Sequence, residues 1–254
     1  MSDRREMRLL SRMRRDWEVR AAADPLFHIN ANRREWTIHD FYTDGRLLAR
    51  RIIDPVLDRL GVDPANKRVL EIGCGMGRLF PGLADRFGDV WGIDISSTMV
   101  ARGRKHCPVQ ATWLIGDGNG LPGVKDASID HVLSFEVFQH IPDPAPILSY
   151  ISETRRVLRP GGTFQLQLRQ ASDSIAQRWF RGLPDATRLF GGRALRAVGA
   201  LHLQGDVDTW IGCIINPVEA LGHAEQQGLV DLLVLPDVHH PDGIGYWLVG
   251  RAPS

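Results

Sequence analysis

The stretch Val69-Leu70-Glu71-Ile72-Gly73-Cys74-Gly75-Met76-Gly77-Arg78 constrains the fold more than any other part of the chain. A short apolar, β-branched run enters glycines spaced G-x-G-x-G, and a helical pattern is expected to follow. The glycines let a ligand come against the backbone, while the helix terminus beyond them offers N–H groups that have no partner within the helix. Such a strand–turn–helix unit belongs to an open α/β sheet, whose ligand crevice lies outside the carboxyl ends of its strands. The rest of the chain keeps the same rhythm. Strand-like runs recur at 68–72, 90–93, 112–115, 130–135, 163–168, 229–235 and 245–249, and helical patterns begin near Gly77, Ser97, Pro144 and Pro217. This alternation predicts a mainly parallel sheet with helices on both faces.

With 254 residues, 43% of them hydrophobic, the chain can bury one such domain without a disulfide or metal staple. A formal net charge of +1 provides no overall field for a phosphate backbone, which argues against nucleic acid as a partner. Cys74, Cys107 and Cys213 are widely spaced and form no C-x-x-C pair, so neither a disulfide framework nor a zinc site is expected, and a reducing cytoplasmic setting is. No apolar run suits a membrane span, and the N-terminus has no secretory signal pattern.

Residues 1–60 read as an N-terminal helical cap on a domain formed by 61–254. Met7, Leu10, Met13 and Trp17 recur at helical spacing among Arg4, Arg5, Arg8, Arg12, Arg14, Arg15 and Arg20, predicting an amphipathic helix that docks on the domain rather than on a membrane. Phe41-Tyr42-Thr43-Asp44-Gly45-Arg46 carries a turn signal ahead of a helix expected over 47–60 and closed by Gly61. A long insertion at about 170–215, with Trp179, Phe180, Phe190 and Trp210, falls outside the βα rhythm and is expected to be a lid closing with Phe41–Arg46 over the crevice.

The glycine turn alone does not choose a ligand. A dinucleotide fold wants G-x-G-x-x-G, and this chain has Arg78 where the third glycine would stand. Asp94 ends the second expected strand, where a carboxylate can accept from both hydroxyls of a ribose. Asp117 ends the third within Gly116-Asp117-Gly118-Asn119, where it can accept an exocyclic amine of adenine. Each aspartate by itself could equally cap a turn or helix.

Taken together, these residues resemble the class I S-adenosylmethionine-dependent methyltransferases, in the broad small-molecule subgroup with a type 11-like domain. The resemblance covers about Lys67 to Arg169. Glu71-Ile72-Gly73-Cys74-Gly75-Met76-Gly77 matches the first motif, Asp94 the ribose acid and Asp117 the adenine acid. Ser134-Phe135-Glu136-Val137-Phe138-Gln139-His140-Ile141 matches the segment after strand four, and Val157-Leu158-Arg159-Pro160-Gly161-Gly162 the turn before strand five. It implies a Rossmann-like seven-stranded sheet with an antiparallel last strand between strands five and six. It implies S-adenosyl-L-methionine as cofactor, contacted by Glu71, Gly73, Cys74, Gly75, Asp94, Ile95, Met99, Asp117, Gly118, Asn119 and Phe135.

Methyl transfer needs alignment of acceptor and donor, exclusion of water and, for an alcohol, removal of a proton. His140 is the expected base, since an imidazole suits proton removal at neutral pH; the competing reading makes it a cap of the helix starting near Asp143. Glu136 is a second catalytic candidate, or an orienting group for the cofactor. His239-His240-Pro241-Asp242-Gly243, with Asp237 beside it, could hold a metal, but adjacent extended histidines point opposite ways, and a polar Pro-Gly hairpin is expected instead. The Asn/Asp-Pro-Pro-aromatic signature of base-amino methyltransferases is absent. The expected activity is methylation of a hydroxyl on a small or medium-sized metabolite such as a sugar, polyketide or lipid-linked alcohol. The alternatives are N-methylation of a small amine and a non-catalytic module binding S-adenosylmethionine or S-adenosylhomocysteine.

Overall fold

The computed structural model describes residues 2–33, 35–170, 209, 212–237 and 245–254. The sheet is built from β1 (Arg68–Ile72), β2 (Asp89–Asp94), β3 (Thr112–Ile115), β4 (Ile129–Ser134), β5 (Leu158–Arg169), β6 (Val230–Pro236) and β7 (Gly245–Arg251). Their order is β3-β2-β1-β4-β5-β7-β6, and β7 runs antiparallel to both of its neighbours. The order reverses between β1 and β4, so the crevice expected of an open α/β sheet opens where those two strands end. The central strands β1 and β4 are buried on both faces, which is why they read as apolar runs rather than as alternating patterns.

One face packs beneath α3 (Ile38–Leu60), α4 (Phe80–Ala84) and α5 (Ser97–His106). The other packs beneath α6 (Pro144–Val157) and α7 (Pro217–Gln226). Helix starts follow local chemistry: Ser96 caps α5, Asp143 caps α6 and Asn216 caps α7, each accepting from a backbone N–H inside its helix. Gly61 closes α3 at φ 63°. Two further helices, α1 (Ser2–Ala23) and α2 (Pro25–Ile29), precede α3.

Three expectations change. The segment Phe41–Arg46 is no turn and no lid: it lies inside α3, with Phe41 fully buried. Gly45 mimics a turn signal, but its glycine is there for packing, since a Cβ would come within 1.9 Å of the Arg78 carbonyl oxygen. The helix expected from Gly77 begins at Phe80, because residues 73–79 continue as turn. The Arg159–Gly162 turn is drawn into β5, where Ile129 pairs with Leu158 and His131 with Thr163 while the residues between bulge out around Gly161 at φ 71°. Of the expected lid at 170–215, residues 171–208, 210 and 211 lie outside the described residues, as do His239, His240, Asp242 and the rest of 238–244. No described helix is long and apolar enough to cross a membrane.

Candidate active site

The ends of β1, β2 and β4 bound a crevice of about 400 Å³ whose lining includes Glu71, Gly73, Cys74, Gly75, Asp94, Ile95, Met99, Gly118, Phe135, Glu136 and His140. The structure thus brings most of the expected site residues together. Asp117 and Asn119 are not among them. The exposed Asp117 carboxylate accepts from the N–H groups of Asn119 (3.1 Å) and Gly120 (2.8 Å), a local turn beside the crevice, and the Asn119 amide donates to Glu6 of α1 at 2.8 Å. Gly116 and Gly118, on either side of Asp117, do reach the lining.

The cofactor half is set by the glycine turn. Gly73 stands at φ 72° and a Cβ there would meet the Val137 side chain at 2.2 Å, so only glycine lets the turn lie against the segment after β4. Asp94 accepts from the Gly75 N–H at 2.7 Å and the Ser96 N–H at 2.8 Å, tying the turn to the end of β2. Asp94 lines the crevice, and its carboxyl is enclosed by protein. That enclosure pushes it up to about 6, against the downward pull of the two hydrogen bonds. Glu71 is 4% exposed and its Oε2 has no hydrogen-bond partner. Burial drives this carboxyl well above the usual range, the Arg78 charge opposes the rise and Asp94 adds to it.

The other half carries a chain of polar contacts that sequence reading did not find. Asn30 donates to Asp44 (3.2 Å); Arg78 donates to Asp44 (2.9 Å) and to Glu136 (3.3 Å); the Glu136 N–H donates to Gln167 (2.6 Å); and Gln167 donates to Asp237 (2.5 Å). Glu136 sits at φ 57°, a left-handed conformation uncommon for a non-glycine residue and frequent at functional sites. His140 ends a short 3₁₀ turn, Phe138–His140, its Nε2 lies 3.4 Å from the Gln139 amide nitrogen, and its ring meets Trp17 edge-on at 5.2 Å. It does not cap α6, because Asp143 does. His28 of α2 also lines the crevice and is held down to about 4, first by burial and then by the charge of Arg20. Among the described residues no group of three or more His, Cys, Asp and Glu side chains is arranged to hold a metal ion.

Helix α1 lies across both halves. Arg14 donates to the Gly116 carbonyl (2.8 Å), Glu18 accepts from Ser97 N–H (2.6 Å) at the start of α5, and the buried Arg20 donates to Thr209, whose hydroxyl donates to Asp16. Met13 and Trp17 face the crevice.

Residues 70–166 match the family described as a methyltransferase domain. A trans-aconitate 2-methyltransferase of Azoarcus sp. is 32% identical, over 63% of this chain and 60% of its own. A ubiquinone biosynthesis O-methyltransferase of Xanthomonas oryzae is 34% identical over 43% of this chain and 45% of its own. A probable S-adenosylmethionine-dependent methyltransferase of Mycolicibacterium smegmatis is 39% identical over 43% of this chain and 40% of its own. The chain therefore spans 40 to 60% of the length of these relatives. Among solved structures, a Pyrococcus horikoshii protein superposes with a TM-score of 0.58 at 16% identity, covering 91% of this chain and 97% of that one. The Haemonchus contortus phosphoethanolamine N-methyltransferase 2 in complex with S-adenosyl-L-methionine gives 0.56 at 16% identity, over 90% and 60%. The strand order, the glycine turn with its acids and the matched segment agree: residues 70–166 carry a methyltransferase domain that is similar to the class I S-adenosylmethionine-dependent methyltransferases.

Proposed function

We propose that the chain methylates a hydroxyl of a small or medium-sized metabolite, of the sugar, polyketide or lipid-linked alcohol kind, with S-adenosyl-L-methionine as methyl donor. The observation that carries this reading is that one crevice holds both the glycine turn with Asp94 and the pair Glu136 and His140. The crevice suits the cofactor: Glu71 presents a buried carboxyl with an oxygen in want of a partner, Asp94 lines it, and Gly73 and Gly75 add no side chain of their own to its wall. Glu71, the turn and Asp94 would hold it, with Ile95, Met99 and Phe135 as apolar walls. When bound, it supplies an electrophilic methyl group.

The chain's own residues do the rest. With the Gln139 amide as donor, Nε2 of His140 is the basic nitrogen. A hydroxyl approaching more closely than that 3.4 Å contact would replace the amide and deliver its proton there. Glu136, held by Arg78 and by Gln167, is the second candidate base or orients the cofactor, while Trp17 and Met13 of α1 keep water out. In this reading the cap function within 1–60 falls to α1 and α2, on a domain formed by 61–254. Asp117 and Asn119 act at the crevice rim. The setting is cytoplasmic and the acceptor is not a nucleic acid.

The test starts by incubating the protein with S-adenosylmethionine and a metabolite extract, and finding the product heavier by one methylene. With that acceptor, His140→Gln should lower kcat by about a hundredfold and abolish the acidic limb of the pH–rate profile, with cofactor affinity within a factor of about three. A small kcat effect with the limb set by the acceptor's own amine would replace hydroxyl by amine. Cofactor binding with no methylated product from any extract would leave a binding module.

A further inference from the structure

The backbone does not decide which way the His140 imidazole faces. Its χ2 is a broad torsion, so the groups around the ring must set where Nε2 points. Trp17 of α1 is such a group: the two rings meet edge-on, with centroids 5.2 Å apart and planes at 70°, and both residues line the crevice. Keeping water out asks only for bulk at this place. A ring set across another ring does more, because an edge-on pair favours one mutual orientation over the rest. Trp17 is itself held. Arg20 follows it by three residues on the same face of the helix, with its guanidinium carbon 4.8 Å from the centroid of the Trp17 ring. Arg20 is fully buried and donates to the Thr209 carbonyl at 3.3 Å and to the Thr209 hydroxyl at 2.9 Å, and that hydroxyl donates to the buried Asp16 at 3.0 Å. A few residues beyond Thr209 the chain lies against the His140 turn itself. A Cβ on Gly212 would stand 2.0 Å from the Gln139 carbonyl oxygen, and the Cys213 N–H donates to the Ile141 carbonyl at 2.8 Å. The backbone of the turn is thus fixed from residues 212–213, whereas its imidazole meets Trp17.

We propose that Trp17 is a positioning residue for methyl transfer: its ring, held by Arg20 and through it by Thr209 and Asp16, orients the His140 imidazole so that Nε2 faces the incoming acceptor. This rests on the reading of His140 as the base and deepens it. An indole is neither acid nor base near neutral pH, so whatever Trp17 does for the rate beyond excluding water passes through His140. A misplacement of about 1 Å costs on the order of a hundredfold in rate, so a loosened imidazole is visible in kcat. A plain cover behaves differently. Water let in by its loss reaches the site whatever residue stands at position 140, so the damage would be the same with and without the imidazole.

The experiment uses the full chain, S-adenosylmethionine and the acceptor identified by its methylated product. It measures kcat, acceptor KM and S-adenosylhomocysteine affinity for Trp17→Leu, Trp17→Phe and His140→Gln, and for each Trp17 variant combined with His140→Gln. Trp17→Leu should lower kcat about tenfold or more, with KM and S-adenosylhomocysteine affinity within a factor of about three. Trp17→Phe keeps an aromatic ring and should recover most of that loss. In the His140→Gln background, Trp17→Leu should lower kcat by less than about twofold, as expected of two residues that act as a unit. An equal loss in both backgrounds, an unchanged kcat in Trp17→Leu, or no recovery in Trp17→Phe overturns the proposal and leaves Trp17 a cover. If Trp17→Leu does not fold, Thr209→Val decides in its place: its loss of kcat must appear with His140 and vanish without it, and any other result overturns the proposal. An unchanged kcat in His140→Gln alone, or no methylated product at all, would instead sink the base reading, and this proposal with it.

Discussion

Asp94 shows how one side chain can be both structural and functional. Its carboxylate already accepts two backbone N–H groups, from Gly75 and Ser96, and the residue also lines the crevice. Enclosure raises it to about 6, so the sign of the pH effect is fixed. A carboxyl raised on folding contributes stability below its ordinary value, and that contribution is lost as pH rises through about 6. A ligand offering hydroxyl donors prefers the charged form, so S-adenosylhomocysteine affinity should fall as pH is lowered from 7 to 5. Asp94→Asn should flatten that slope, and Asp94→Ala should cost about 1.5–3 kcal/mol, roughly ten- to hundredfold in affinity. Calorimetry showing full affinity and the parent slope in Asp94→Ala would remove the residue from the site. Glu71 and Asp94 were legible because strand ends and glycine spacing fix where they stand. Arg78 was visible only as a missing third glycine, since its partner Asp44 comes from a helix whose packing no local pattern encodes. Asp117 was legible both as a turn residue and as a ligand group, and no local pattern decides between its own backbone, from which it accepts the Asn119 and Gly120 N–H groups, and a ligand.

Among the elements, α3 was half legible. Its later turns carry a clear apolar stripe, but Asp44-Gly45 reads as a turn until the close approach of the Arg78 carbonyl is known. Two helical glycines therefore predict opposite outcomes for the same substitution. In α7, Gly222 has nothing within 4 Å of a Cβ, so Gly222→Ala should follow helix propensity and stabilise by about 0.5–1 kcal/mol. In α3, Gly45→Ala gains the same propensity but drives a methyl into backbone, Arg78 oxygen at 1.9 Å, which no rotamer change relieves. It should destabilise by about 2 kcal/mol or more, seen as a melting temperature lower by roughly 4–8 °C. Equal melting temperatures for the two variants would show that α3 can move off the turn freely. The strands were legible to within a residue or two, except β5, where the bulge around Gly161 merges an expected turn into the strand.

Across the whole molecule, the sheet and the crevice follow from the βα rhythm, whereas the cover does not, because it is assembled from contacts far apart in sequence. Helix α1 holds the β3 end through Arg14 and Gly116, the α5 start through Glu18, and Thr209 through Arg20 and Asp16, while Met13 and Trp17 look into the crevice. A ligand in that crevice then lies beneath α1, and must pass it or displace it on entering. Local opening of α1 exposes its amides to exchange; if the ligand binds only the closed form, saturation makes that opening rarer by the factor 1 + [L]/Kd. With S-adenosylhomocysteine at a hundred times its Kd, about 2.7 kcal/mol of added protection follows, and α1 amides near Met13 and Trp17 should exchange roughly a hundredfold more slowly. Amides of α7, which lies on the sheet away from the crevice lining, should change little. Slower exchange in the Gly73–Gly75 turn with no change in α1 would show that ligand enters and leaves without moving this helix, and that the cover lies elsewhere.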